Sequence, residues 1–391
     1  MVTLPLTALW VTIILGLNVA LHVEGHYSES HRDVQEVLVK QDSKLQPKVF
    51  IIGMFGAEGE TWHGIDEFNL LEQNTTVPGF SSLYPDAHCT LDGSICQLVT
   101  GSGEINAIAS LSALLYSDLF DLRTTYFLIA GIAGINPKKA TIGSVTFPLY
   151  AVHVGLQFEI DAREIPPHFT TGYIPQGARS PDQFPPTIYG TEVYELNDNL
   201  RRKAMEFAQT GQLADDERSR TYRSLYANSP EYTPAAAPPT IVACDTATSD
   251  QFWTGKLLGE ATENYTKLLT NGSGEYCTTQ QEDNATLEAL VRAAVRGKAD
   301  FSRVVVLRTG SNFDRPCPEQ SASDNLFHDL TGYASAIMNI RLAGVPIVMG
   351  ILDDWEATFA RGIRADNYVG DILGSLGPRP GFRQRKVGDE L

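Results

Sequence analysis

VFIIGMFGAEGETW (residues 49–62) decides how this 391-residue chain is read. Four apolar residues run into Gly53, the pattern of a short strand buried on both faces. The glycines that follow turn the chain, and Glu58 and Glu60 stand just past the strand's carboxyl end. Open α/β sheets collect ligands at that edge. A carboxylate there suits a general base acting on water, although an acid in a solvated loop gives the same pattern.

The same alternation continues along the chain. CQLVTG (96–101) reads as a second strand, followed at once by EINAIASLSALLYS (104–117), where Ile105, Ile108, Leu111 and Leu115 recur at helical spacing. TYFLIAGIAG (125–134), one or two strands within 144–160, TIVACD (240–245), VVVLRTG (304–310) and VPIVMG (345–350) complete the predicted strands. Further helices are expected at 197–209, 255–269, 284–296, 331–342 and 366–376. Strands alternating with helices specify a layered α/β fold with a mostly parallel sheet. Residues 163–239 break the rhythm. They hold 10 of the 21 prolines, and read as a surface excursion in preference to a lid over the site.

Composition narrows the function classes. With 43% hydrophobic and 20% charged residues, the chain is neither disordered nor a multi-span membrane protein. A formal charge of −17 without a basic run disfavours nucleic acid and anionic membrane surfaces as partners. Residues 4–21 form an uncharged apolar stretch. It reads as a signal peptide over 1–25, with an uncleaved signal anchor as the alternative. The expected organisation is a flexible lead-in at 26–46, one domain over 47–380 and a tail at 381–391. Sequons at Asn74, Asn264, Asn271 and Asn284 fit a secreted or cell-surface glycoprotein, and the final GDEL departs by one residue from an endoplasmic-reticulum retention signal. If uncleaved, the N-terminal segment is the chain's contact with a membrane, and one span builds no solute pathway. Cys89 and Cys96 flank an Asp92-Gly93 turn and suit a hairpin disulfide. The eight histidines have no zinc spacing, so neither a metal nor a cofactor is expected.

Four more segments are candidates for chemistry. In LVTGSGEINA (98–107), Gly101 and Gly103 bring backbone N–H groups and the Ser102 hydroxyl toward an anion or a sugar oxygen. In CDTATSDQFWTG (244–255), Phe252 and Trp253 beside a polar turn suit stacking on a flat heterocycle. In TTQQEDNA (278–285), Glu282 and Asp283 open a helix, where carboxylates gain from the dipole. In RTGSNFDRP (308–316), Arg308, Ser311, Asn312 and Asp314 follow a buried strand, and an Asn amide there both donates to and accepts from a purine edge.

Taken together, VFIIGMFGAEGETW, VTGSGEINAIAS, FLIAGIAGINP, GTEVYELND, CDTATSDQFWTG, TTQQEDNA, LRTGSNFDRP and DDWEATFARGI resemble the fungal purine nucleoside permease family over about residues 48–370. The family is known for transport of nucleosides such as adenosine and guanosine. The segments also look like the nucleoside phosphorylase and methylthioadenosine nucleosidase superfamily. That resemblance implies a three-layer nucleoside-phosphorylase-like fold with a central mixed, mostly parallel sheet. By the nucleosidase motifs, Glu58, five residues after Gly53, corresponds to the water-activating acid, Thr100-Gly101-Ser102-Gly103 to the Ser-Gly-Ile-Gly turn, and Phe252 to the base-stacking ring. Gln281-Glu282 matches a Met-Glu pair whose Glu holds the ribose hydroxyls. Asn312 falls where nucleosidases carry the purine-protonating acid and trimeric phosphorylases an asparagine; Asp314 is the alternative acid. Residues 53–65 lack the phosphorylases' phosphate-binding arginine, which favours hydrolysis over phosphorolysis. The implied partner is a purine nucleoside, bound either for cleavage or as one component of transport. Homo-oligomerisation is left open.

Overall fold

The computed structural model describes residues 44–328 and 330–381. Both terminal expectations, the signal segment with most of its lead-in and the GDEL tail, lie outside the described residues. The domain begins slightly earlier than its sequence boundary. Residues 44–46, expected in the lead-in, are already fixed: Leu45 donates its N–H to Leu119 C=O at 2.9 Å.

In chain order the strands are β1 (Val49–Gly53), β2 (Gln73–Thr76), β3 (Asp86–Cys89), β4 (Ile95–Val99), β5 (Tyr126–Ile135), β6 (Val145–Phe147), β7 (Tyr150–His153), β8 (Gln157–Glu159), β9 (Tyr173–Pro175), β10 (Val193–Glu195), β11 (Ile241–Ala243), β12 (Asp245–Thr248), β13 (Tyr276–Gln280), β14 (Val304–Phe313) and β15 (Gly370–Asp371). The helices are α1 (Gly56–Glu60), α2 (Glu104–Tyr116), α3 (Asp198–Ala208), α4 (Glu217–Arg223), α5 (Thr233–Ala236), α6 (Lys256–Leu269), α7 (Asp283–Val295), α8 (Ala322–Phe327) and α9 (Tyr333–Asp353).

All strands but β8 and β9 join one mixed sheet. Its centre is parallel, with β1 between β4 and β5, and β14 beside β5. Antiparallel pairings join β13 to β5, β14 to β6, and the hairpin strands β2–β4. Alternation within β1 and β5 builds two cores. Phe50, Ile52, Phe127 and Ile129 face α2 and α7, whereas Val49, Ile51, Tyr126 and Leu128 face α3 and α9. A strand buried on both faces reads as an unbroken apolar run, which is why β1 and β5 are legible in sequence. The result is the expected three-layer α/β arrangement.

Three sequence readings are corrected. VPIVMG (345–350) is not a strand but part of α9. Its buried neighbours Ile340, Ala343, Gly344, Ile347, Val348 and Ile351 recur at helical spacing. Pro346, inside the helix, has no N–H to give Leu342 C=O. Gly211 packs against that carbonyl so closely that a Cβ would lie 2.3 Å from its oxygen. Residues 366–376 are not a helix but β15 and turns, with Gly370 and Gly374 at φ +147° and +78°, a region L side chains avoid. Nor is 163–239 wholly an excursion: it contributes β10 to the sheet and α3, with Leu200, Ala204 and Ala208, to the core facing α9. The Cys89–Cys96 disulfide is present as expected, and a second, Cys244–Cys277, closes the segment that carries α6. Of the sequons, Asn74, Asn264 and Asn271 are exposed. Asn284 is buried and hydrogen-bonded to Thr248 and Thr191, which withdraws it as a glycan acceptor.

Candidate functional site

At the carboxyl ends of β1 and β5, two glycines in β5 make room for side chains from other strands. A Cβ on Gly131 would lie 2.6 Å from both Glu58 Oε1 and Arg308 Nη1. A Cβ on Gly134 would lie 2.9 Å from Thr279 and 3.5 Å from Asn312 Nδ2. Over this floor opens a cleft of about 200 Å³. Glu58, Ser102, Phe252, Trp253, Glu282 and Asn312 line it, so the fold brings together six of the eight residues selected from sequence.

Glu58 sits on α1, one turn past β1. It is buried, and each carboxylate oxygen accepts one backbone N–H, from Met54 and Ile132, both at 2.7 Å. Two hydrogen bonds leave lone pairs on both oxygens. Burial, which penalises the anion, raises its pKa from 4.5 to about 7; Arg308 opposes the shift and Glu282 adds to it. Glu282 is also buried, with its pKa raised chiefly by burial. One of its oxygens accepts Gly103 N–H at 2.9 Å.

Arg308, selected as a substrate contact, is not in the cleft wall. It is 1% exposed and lies beneath the wall. Its Nη2 approaches Asp283 at 2.6 Å and Glu282 at 3.7 Å, and Nη1 donates to Ile132 C=O at 3.2 Å. One guanidinium therefore serves Glu58, Glu282 and Asp283. Its fork geometry fits this, because removing a lone cation from among buried acids is strongly destabilising. Arg308 thus stands behind the two cleft carboxylates, hydrogen-bonded to Asp283.

Asp314, the alternative acid, is likewise withdrawn. It lies outside the cleft wall, buried, and its oxygens accept from Tyr276 Oη at 2.8 Å and from Arg315 Nε and Nη2 at 2.7 and 2.8 Å. Asn312 takes the cleft position because β14 bulges between Gly310 and Asn312, and a bulge re-aims the side chains around it. Asn312 Oδ1 accepts from Ser311 Oγ at 2.9 Å, whereas Nδ2 has only a 3.5 Å contact with Phe313 C=O. The amide thus retains donor capacity toward the cleft.

The Gly101–Gly103 turn differs from its sequence reading. The Gly103 N–H does not face an open anion site but goes to Glu282, and the next N–H, of Glu104, goes to Asp250 at 2.8 Å. Ser102 alone of that turn meets the cleft. Phe252 is 56% exposed at the rim and Trp253 half-buried, its ring 6.1 Å from Tyr276. Glu60 is exposed and outside the wall. Asp245, at the end of the predicted TIVACD strand, is structural and accepts N–H groups from Leu149, Tyr150 and Glu275.

Sequence reasoning missed Phe55, Gln280 and Leu330 in the wall. Gln280 Oε1 accepts the N–H groups of Glu282 and Asp283 at 2.7 and 2.8 Å, fixing the start of α7. Its place two residues before Glu282 was the available signal. No Lys, Arg or His lines the cleft among the described residues. The described residues also contain no group of three or more His, Cys, Asp or Glu arranged to hold a metal ion.

Residues 46–364 match the family model for purine nucleoside permease. A purine nucleoside permease of Candida albicans is 44% identical over 344 residues, 86% of this chain and 83% of the relative. A probable purine nucleoside permease of Schizosaccharomyces pombe is 41% identical over 332 residues, 82% of this chain and 94% of the relative. Solved structures aligned with the chain include a 5′-methylthioadenosine/S-adenosylhomocysteine nucleosidase of Neisseria meningitidis (TM-score 0.43, 15% identity, 78% of this chain and 98% of the other). A futalosine hydrolase of Helicobacter pylori aligns similarly (TM-score 0.45, 13% identity, 79% and 98%). The matched region holds every cleft residue selected from sequence, and this chain belongs to the purine nucleoside permease family.

Proposed function

We propose that the cleft binds a purine nucleoside and cleaves its N-glycosidic bond with water. The observation that carries this is Glu58, a buried carboxylate with its pKa raised to about 7, facing a cleft whose wall holds no cation among the described residues. A general base works best with its pKa near the operating pH. A phosphate dianion without a cation is poorly held, whereas water needs only the base.

In this reading Phe252 and Trp253 stack the purine, Glu282 accepts from the 2′- and 3′-hydroxyls, and the Asn312 amide donates to the purine edge. Glu58 takes a proton from water as the oxygen bonds to C1′. The C1′–N bond breaks and its electron pair leaves on the purine, which takes up a proton from solvent. The sugar passes through a cationic, oxocarbenium-like state, and the two cleft carboxylates stabilise that charge.

The relatives' names favour a second reading, in which the same cleft holds a nucleoside for transport without cleaving it. Purified full chain incubated with adenosine, inosine and guanosine, with and without phosphate, separates the two. Free base released equally well without phosphate is expected. Ribose-1-phosphate would replace hydrolysis by phosphorolysis, and binding without release would favour transport. In Glu58→Gln, base release should fall by about 10²–10⁴-fold while nucleoside binding persists; unchanged turnover removes Glu58 from the chemistry.

A further inference from the structure

The cleft does not end at the purine position. Ser249, Gln251 and Trp253 belong both to its wall and to that of a narrow neck. The neck lies between β8–β9 and α6, and Val154, Tyr173, Trp253, Leu258 and Ala261 give its wall an apolar and aromatic side, beside the polar Gln157, Ser249, Gln251 and Thr262. Gln157, Tyr173 and Ala261 are then shared with an outer chamber of about 200 Å³. Amides and hydroxyls dominate that chamber, together with the acids Asp182 and Glu260. Neither space is lined by Lys, Arg or His among the described residues.

Direction follows from the site. Glu58 and Glu282 mark the sugar end, whereas Trp253 belongs to the base end. The neck opens beside Trp253, so it continues from the base and away from the glycosidic bond. A simple nucleoside leaves it empty. We infer that the neck and outer chamber form a binding extension for purine nucleosides that carry an uncharged aryl or alkyl group on the six-membered ring of the base. This rests on the nucleoside reading of the cleft, but not on whether the bond is cleaved. The apolar side of the neck gains from burying such a group, and Asp182 in the chamber wall repels an anionic one, whereas Glu260 is offset by Lys138 and Lys256.

The test compares adenosine, N6-benzyladenosine and N6-succinyladenosine on the purified full chain. KM for base release is measured on the wild type, and Kd by calorimetry on Glu58→Gln, so that binding is read even without turnover. N6-Benzyladenosine is expected to bind at least as tightly as adenosine and the succinyl compound at least about tenfold more weakly. Ala261→Trp, which fills neck and chamber together, should raise the benzyl-to-adenosine Kd ratio at least about tenfold; Ala261→Ser should leave that ratio unchanged. Adenosine bound but N6-benzyladenosine refused overturns the extension and leaves the nucleoside reading standing. A ratio indifferent to Ala261→Trp, or the same gain from a 5′-benzylthio group, also overturns it. Binding of neither nucleoside overturns both readings.

Discussion

Burial, opposed by the Arg308 guanidinium and reinforced by the Glu282 carboxylate, holds a proton on Glu58 up to a pH of about 7. Below pH 4.5 Glu58 is protonated in folded and unfolded chains alike. Between 4.5 and about 7 the folded chain alone holds the proton, so its contribution to stability is lost as pH rises through 7. The difference in unfolding free energy between Glu58→Gln and wild type should therefore move in the variant's favour between pH 5 and 8, by about 3 kcal/mol at most. Chemical denaturation of both proteins at the two pH values checks this; a constant difference would place the Glu58 pKa near its ordinary value. Base release should rise with pH through about 7 in the wild type, because the anion is the active form. Glu58 was legible because it stands five residues past a strand-ending glycine. Arg308 was legible as a charged residue on a buried strand, but its direction was not: a strand's sequence does not say which neighbouring glycine its side chain crosses.

At the scale of elements, α9 shows how a local pattern misleads. Val345, Ile347, Val348 and Met349 with Pro346 look like a strand in a six-residue window. The period becomes helical only when the window reaches back to Ile340. What holds α9 is close packing at its glycines. A Cβ on Gly344 would lie 2.3 Å from the Trp62 ring, and Trp62 is wholly buried. Helix propensity alone predicts that Gly344→Ala stabilises by about 1 kcal/mol. Packing predicts the reverse, a loss of about 1–3 kcal/mol from the forced shift of a buried ring. The sign of the change in Tm decides between them, and a rise would show that the Trp62 contact is slack. The Cys244–Cys277 disulfide was not legible for a related reason: 33 residues separate the cysteines, and only the pairing of β12 with β13 brings those two segments side by side.

For the whole molecule, α9 is the helix among the described residues long and apolar enough to cross a membrane, yet half of it is buried within the domain. Ten of its residues pack inside, so it serves as a core helix against the sheet. Residues 44–391 produced alone should therefore be folded and soluble without detergent, with the same nucleoside Kd as the full chain. A requirement for detergent, read by size-exclusion chromatography and circular dichroism, would mean that α9 leaves the core to meet lipid. The sequence by itself determined the α/β class, the central strands and the cleft residues Glu58, Phe252, Glu282 and Asn312. Those features are set by local period and by motifs at strand ends, which neighbouring residues encode. Tertiary structure alone decided that Asp314 is consumed by Arg315 and Tyr276, that Arg308 lies beneath the wall, and that the Gly103 N–H is already taken by Glu282. Each depends on partners up to 179 residues distant in the chain, and whether a polar group is free for a ligand depends on what the completed fold has already given it.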